Sequence, residues 1–294
     1  MARRPLEEVQ VLLNELRSEI RQLREEVARL QLFLPTPENL LCQRGFKVLT
    51  SEPTEHLLLP PNPTALTLDR YYRYLRRYSF RLFLRDVIRF KSDLRLERLL
   101  HYCSLRKATR YLQVLVDMGI LEPAPLQQQT YRYNANPAVE SFGDTLEWFV
   151  AQTLRREFRI PSSWGLSIAG LDQGGDFDVL GVLGSQIVYV ETKASPPKNL
   201  HMGVVQGFVQ RVQQLQPELA ILLVDTHLRM EDKINKMVRV AFRESGRTDG
   251  DADAVQVSKG VFRMGSGLYT CNSKPAIAKN LRTCIRDYLQ LHTE

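Results

Sequence analysis

Two apolar stretches joined at Gly184-Ser185, GGDFDVLGVL (174–183) and QIVYVETKAS (186–195), constrain this chain more than any other feature. Both alternate and are rich in Val, Ile and Leu, the pattern of β-strands. Gly-Ser between them fits a two-residue hairpin turn with glycine at the first central position. Such a turn fixes the register, so that Leu183 faces Gln186, Asp178 faces Glu191 and Asp176 faces Lys193. Side chains directly opposed across a hairpin have Cβ atoms about 4.5–5.5 Å apart. Residues 176, 178, 191 and 193 share parity, which predicts that all four point to one face of the sheet. Three acids and a lysine on a half-buried face are costly unless they are paired or used. One reading is an ion-pair network on a solvated face; the other is a reaction centre.

An acid on one strand followed by Glu-x-Lys on the next (Asp178; Glu191-Thr192-Lys193) resembles the PD-(D/E)XK, or restriction-endonuclease-like, nuclease superfamily. The resemblance covers about residues 136–230. Upstream, FGDTLEWFVAQTL carries apolar residues at 142, 146, 149, 150 and 154, a helical stripe bordered by Glu147. Downstream, positions 204, 205, 208, 212 and 215 form a second stripe, and ELAILLVDT reads as a strand buried on both faces. Helix, three strands, helix, strand is the core order of that superfamily. Phe177, where a proline often stands, is a departure toward a looser motif.

The resemblance implies an α/β fold with a mixed central sheet flanked by helices. It also implies hydrolysis of DNA phosphodiester bonds with Mg²⁺, for which Mn²⁺ would substitute. Asp178, Glu191 and the main-chain carbonyl of Thr192 would hold the ion. Lys193 would orient or deprotonate the attacking water and offset charge on the phosphate. Glu147 would be an outer catalytic acid. Asp176 is either an electrostatic partner of Lys193 or a turn acid after Gly174-Gly175. Gln206 and Gln210, one turn apart, are weaker candidates for touching the substrate phosphate.

Upstream lies a basic stretch. Residues 68–110 contain 13 Arg or Lys and 4 acids, a net +9, whereas the whole chain carries +7. The positive charge is therefore local, as a phosphate backbone requires. Tyr71, Tyr72, Tyr74 and Tyr78 interleave with it and offer stacking or phosphate contacts. DLRLERLLHYC reads as a short helix and LRKATRYLQVLVDMG as a second, with Ser104 as its N-cap and TYRYN (130–134) as a wing strand. That order resembles a winged helix-turn-helix presenting Ser104, Arg106, Lys107 and Arg110 to DNA. A helical domain with a merely solvated or partner-binding basic face is the other reading.

At the N-terminus Leu6, Val9, Leu13, Leu16, Ile20, Leu23, Val27, Leu30 and Leu34 recur at alternating spacings of 3 and 4, a heptad pattern. With Leu6 at a, the sites Leu13, Ile20 and Val27 alternate with leucines at d, which favours a parallel two-stranded coil. Residues 6–34 would then make a homodimer, which suits an enzyme addressing both strands of a duplex. A long helix packed on its own chain is the alternative.

The expected organisation is a dimerising coiled coil (1–34), a linker (35–67) with room for a small hairpin at GFKVL and HLLL, a winged helix (68–135) and a nuclease domain (136–294). No apolar run is long enough to span a membrane. The four cysteines (42, 103, 271, 284) have no metal-ligand or disulfide-framework spacing, which suits a reducing cytoplasm. SGRTDGDADA (245–254) reads as a mobile loop, GVFRMGSGLYTC as a late hairpin and 275–291 as a closing helix. The overall expectation is a cytoplasmic endonuclease of prokaryotic genome defence. Two alternatives remain open: a recombination or repair nuclease acting on branched or nicked DNA, and a DNA-binding regulator or scaffold with a silent nuclease fold.

Overall fold

A computed structural model describes residues 4–31, 35–124, 129–171, 175–246 and 254–292. Among them the chain order is α1 (Arg4–Gln31), α2 (Pro37–Gln43), β1 (Lys47–Thr50), α3 (Ala65–Leu75), α4 (Tyr78–Arg89), β2 (Leu94–Arg95), α5 (Leu105–Asp117), β3 (Leu121–Pro123) and β4 (Thr130–Tyr133). There follow α6 (Gly143–Phe158), β5 (Ser162–Ala169), β6 (Asp176–Leu183), β7 (Gln186–Lys193), α7 (Met202–Leu215) and β8 (Leu219–Val224). The chain closes with α8 (Lys236–Glu244), β9 (Val255–Ser258), β10 (Val261–Met264), β11 (Leu268–Asn272) and α9 (Ile277–Leu291).

A mixed sheet of eight strands, ordered β1-β5-β6-β7-β8-β11-β10-β9, forms the centre. β8 runs parallel to both β7 and β11, and the remaining pairs are antiparallel. Helix, three strands, helix, strand is thus present in α6 to β8. β8 is buried at every position, as befits a strand covered on both faces. One face packs against α2, α7 and α8 through Leu41, Phe208, Val212, Val238 and Phe242. The other packs against α6 and α9, and its apolar cluster continues into α3, α4 and α5 through Tyr72, Phe80, Tyr111 and Phe149. The boundary expected at 135/136 therefore crosses a shared core.

Gly184 adopts φ 65°, the turn conformation that glycine enters without steric cost. From it Leu183 pairs with Gln186 and Val179 with Val190, the register the turn predicts. The ladder ends there. Asp178 and Glu191 lie beyond it, and Asp176 is exposed and pairs along its backbone with Ser167 instead of opposing Lys193. Of 176, 178, 191 and 193, expected on one face, only Asp176 falls away from the others, and the reason is local. Gly165, opposite Asp178 in β5, takes φ 57°, and the pleat is interrupted. Consequently Phe177 joins the α7-side cluster and Val179 the α6-side cluster, two residues apart.

Residues 35–67 also differ from expectation. Instead of a linker hairpin, Lys47–Thr50 pairs with β5 at the sheet edge, and Leu41, Leu57 and Leu58 are buried. DLRLERLLHYC is not a helix: Leu94–Arg95 pairs with Thr130 and Tyr131, and one 3₁₀ turn (Leu96–Leu99) follows. α4, that turn and α5 pack with a small sheet ordered β2-β4-β3. β10 and β11 form the late hairpin and α9 the closing helix. Most of the loop expected at 245–254 lies outside the described residues. No described helix is long and apolar enough to cross a membrane. From Val9 to Leu30, α1 leaves its heptad side chains exposed, with Leu16 53% and Leu23 61% accessible, so this stretch is not folded back onto its own chain.

Candidate active site

The start of β6 and the C-terminal ends of β7, β8 and β11 lie along one edge of the sheet. Where the β6–β7 ladder opens, the Thr192 amide turns to a side chain: its N–H donates to Asp178 Oδ2 at 2.7 Å, with Thr192 Oγ1 at 3.3 Å. Lys193 Nζ lies 2.7 Å from Glu191 Oε1 and 3.5 Å from Asp178 Oδ2. α7 adds Arg211, whose Nη2 donates to Glu191 Oε1 at 2.5 Å and whose Nε donates to Tyr189 Oη at 2.9 Å. Tyr189 Oη in turn donates to Glu191 Oε2. Glu191 is fully buried, whereas Asp178 and Lys193 keep a partly open side. The structure thus brings together Asp178, Glu191, Thr192 and Lys193, with Glu147 close enough across the interrupted pleat to interact electrostatically with all three charged groups.

Burial and the Glu191 charge raise Asp178 to about 6, against the pull of Lys193 and the Thr192 amide. Burial, then Asp178 and Asp144, raise Glu147 to about 9. Burial works to lower the Lys193 pKa, but Asp178 and Glu191 outweigh it and hold the ammonium above its usual value. Arg211 is shifted up as well, its burial overcome by Tyr189 and Glu191. Burial first, and then the neighbouring carboxylates, thus favour the protonated forms of Asp178 and Glu147 at this edge.

Among the described residues no group of three or more His, Cys, Asp or Glu side chains is arranged to hold a metal ion. A cation here would rest on fewer carboxylates together with main-chain oxygen. The donor chemistry fits a hard divalent ion, because every candidate ligand is oxygen and a positive charge would offset the burial and the repulsion that raise Asp178 and Glu147. All three hydrogen bonds to Asp178 fall on Oδ2, which turns Oδ1 away from them. Glu191 is the obstacle, since Lys193, Arg211 and Tyr189 between them engage both of its oxygens. To serve as a ligand it must give up one of these contacts.

Elsewhere, Ser104 stands at the N-cap of α5, although its side chain makes no capping bond. Arg106, Lys107 and Arg110 are exposed on α5 and form no ion pair among the described residues, while Ala108, Leu112 and Leu115 face the core. Other members of the basic stretch already pair with acids of the fold. Arg81 and Arg85 bind Asp225, Arg70 binds Asp117 and Arg73 binds Asp69. Tyr71 and Tyr72 are core residues rather than stacking surfaces, and Tyr78 stacks on His227 at 3.9 Å. Gln206 bonds Glu244 on α8. The sequence reading missed Tyr189 and Arg211. Arg211 had a signal, being the single charge in α7, three residues after buried Phe208. Tyr189 had one too, sharing parity with Glu191 along β7.

No family model matches this chain, and no curated protein matches it. Two similar solved structures are protein VC1899 from Vibrio cholerae and Can2 from Sulfobacillus thermosulfidooxidans in complex with cyclic tetra-adenylate. The first has a TM-score of 0.49 at 14% identity and covers 78% of this chain and 58% of that one. The second has a TM-score of 0.40 at 13% identity and covers 64% of this chain and 50% of that one. The chain thus spans between half and three fifths of the length of these proteins.

Proposed function

We propose that this chain is a metal-dependent endonuclease of the PD-(D/E)XK type, hydrolysing DNA phosphodiester bonds in prokaryotic genome defence. The observation that carries the reading is the convergence of Asp178, Glu191 and Lys193 at an opened hairpin, with Glu147 approaching from α6. Asp178, one oxygen of Glu191 and the Thr192 carbonyl would hold Mg²⁺, or Mn²⁺ in its place. Such an ion polarises the phosphoryl oxygen and acidifies water. Lys193, held protonated by its two acids, orients the attacking water through its N–H donors and offsets charge on the phosphate. It is a poor base in that state, so removing the water's proton falls to a carboxylate. Glu147 supplies the outer acid.

The elements from α4 to β4 serve as a winged helix in this reading. Ser104 at the N-cap of α5 and Arg106, Lys107 and Arg110 on it then face the DNA, supported by three exposed cations that form no ion pair among the described residues. Two copies pair through residues 6–34, because an exposed heptad stripe on a helix of 28 residues is covered most simply by its own equivalent.

A second reading has its own observation. With both Glu191 oxygens engaged by the protein, the same arrangement fits a DNA-binding regulator whose nuclease fold is silent. The deciding experiment offers supercoiled plasmid, linear duplex, branched duplex, single-stranded DNA and RNA, with Mg²⁺ or Mn²⁺, to wild type and Lys193→Ala. Cutting that disappears in the variant while DNA binding persists is the expected result. No cutting by either protein, with salt-sensitive binding retained, favours the regulator.

A further inference from the structure

The C-terminal extension of β8 carries an unusual charge arrangement. Asp225, fully buried, accepts two hydrogen bonds from Arg81, from Nε at 2.9 Å and Nη2 at 2.6 Å. Arg81 is itself 1% exposed, and its Nη1 donates to the Leu75 carbonyl at 2.6 Å. That pair alone balances one positive charge with one negative. Arg85, one helical turn on, adds a second guanidinium, with Nη2 2.6 Å from Asp225 Oδ2. Two cations thus share one carboxylate, and Arg85 pairs with no other acid among the described residues. Its Nε is buried without an acceptor, while the side chain as a whole is 20% exposed.

The location gives this surplus charge its meaning. The Asp225 amide donates to the Lys193 carbonyl at 2.8 Å, so the anchor of Arg85 is joined directly to the strand bearing the reactive lysine. On the other side the Arg85 guanidinium lies 5.6 Å from the ring of Phe142, the residue that opens α6 and leads to Glu147. Arg85 therefore stands between the helix of Glu147 and the strand of Lys193, held at one nitrogen by a carboxylate it shares with Arg81, with the adjacent Asp86 acting on it through its field but not as an ion-pair partner. A guanidinium so placed suits an oxyanion, because its remaining donors form a planar fork.

We infer that Arg85 is a substrate-binding residue that grips a phosphate of the nucleic-acid strand flanking the reacting bond, with Arg81 and Asp225 as the buried anchor that aims it. This deepens the nuclease reading and rests on it. α4, which packs in one core with α5, then contributes to the cleft itself rather than only to the DNA-facing module.

The test measures binding of a short fluorescein-labelled duplex and its separate strands, with Ca²⁺ in place of Mg²⁺, across a salt series for wild type, Arg85→Gln and Arg85→Lys. Cleavage is followed in parallel with Mg²⁺, and circular dichroism verifies folding. Arg85→Gln is expected to lower the slope of log affinity against log salt by about one unit, the loss of one phosphate contact. It should also reduce kcat/KM by about a hundredfold. Arg85→Lys retains the charge without the fork, so it should keep the slope and lose about tenfold in affinity. A folded Arg85→Gln protein with the wild-type slope overturns the inference. Should Arg85→Gln not fold, wild-type affinity in Arg85→Lys overturns it instead. A wild type that cuts nothing removes the nuclease reading, yet the slopes still decide whether Arg85 holds a phosphate.

Discussion

Glu147→Gln should make this protein more stable, and by an amount that depends on pH. Glu147 is raised from 4.5 to about 9, chiefly by burial and then by Asp178 and Asp144. A carboxyl whose pKa is higher in the folded chain binds its proton more tightly there. The stability it contributes is complete below pH 4.5 and is lost as the pH rises toward 9. Each unit of difference corresponds to about 1.4 kcal/mol, so the interval from 4.5 to neutrality amounts to about 3 kcal/mol. Glu147 keeps some contact with solvent, and screening trims the figure to about 2–3 kcal/mol. The amide carries no charge at any pH, and this penalty vanishes with it.

Urea unfolding of both proteins between pH 5 and 8.5 provides the assay. Near pH 5 the two should differ by less than about 1 kcal/mol, and at neutrality the variant should lead by about 2–3 kcal/mol. Mg²⁺ should narrow the gap by stabilising the wild type more, since a ligand bound only by the folded state stabilises it. A gap that stays flat across the pH series would refute the burial of Glu147 beside Asp178 and Asp144 as a carboxyl held protonated. Stability gained by removing a reactive acid is the usual trade at a working site.

Three further outcomes follow from the structure. Asp225→Asn leaves Arg81 and Arg85 without their carboxylate and should cost about 3–5 kcal/mol in urea unfolding; a cost below about 1 kcal/mol would show that the clasp is not a buried ion pair in solution. Gly165→Ala must hold an L-residue at φ 57° and place its Cβ 2.7 Å from Pro53 Cγ. Its thermal midpoint should fall by several degrees, about 1–2 kcal/mol for the backbone and 1–3 for the overpacking, and an unchanged midpoint would contradict the interrupted pleat. Leu16→Asp together with Leu23→Asp should convert a dimer to a monomer in sedimentation velocity without altering the folded core, and a monomeric wild type would remove the coiled-coil proposal.

What the chain disclosed before its structure depended on whether the information was local. Residues 179–190 were legible because alternation and a Gly-Ser turn act between neighbours, and the register follows them as far as Val179 and Val190. The reasoning failed at the next pair, since it assumed an unbroken pleat. Whether the pleat continues past Val179 is decided in β5, where Gly165 turns to positive φ opposite Asp178, the residue whose carboxylate accepts the Thr192 amide. β1 was hidden for a related reason: its four residues acquire an identity as strand only by pairing with β5, more than a hundred positions away. The same distance separates Arg81 from Asp225. Their contact is unreadable as a pair, but each half was visible as an anomaly. Arg81 sits in FRLFL and Arg211 in FVQRV, charges set within apolar stripes where solvation is expensive. The basic stretch was read as one surface feature, but Tyr71, Tyr72 and Arg81 within it are buried. Buried Arg81, half-buried Arg85 and surface Arg70 all bind acids of the fold, whereas Arg106, Lys107 and Arg110 stay exposed on α5. Net charge along a segment states how many partners are needed; only the neighbouring apolar pattern separates cations awaiting an external phosphate from those already claimed by a carboxylate inside the fold. Arg85 belongs to both groups, since it shares a carboxylate that Arg81 already balances.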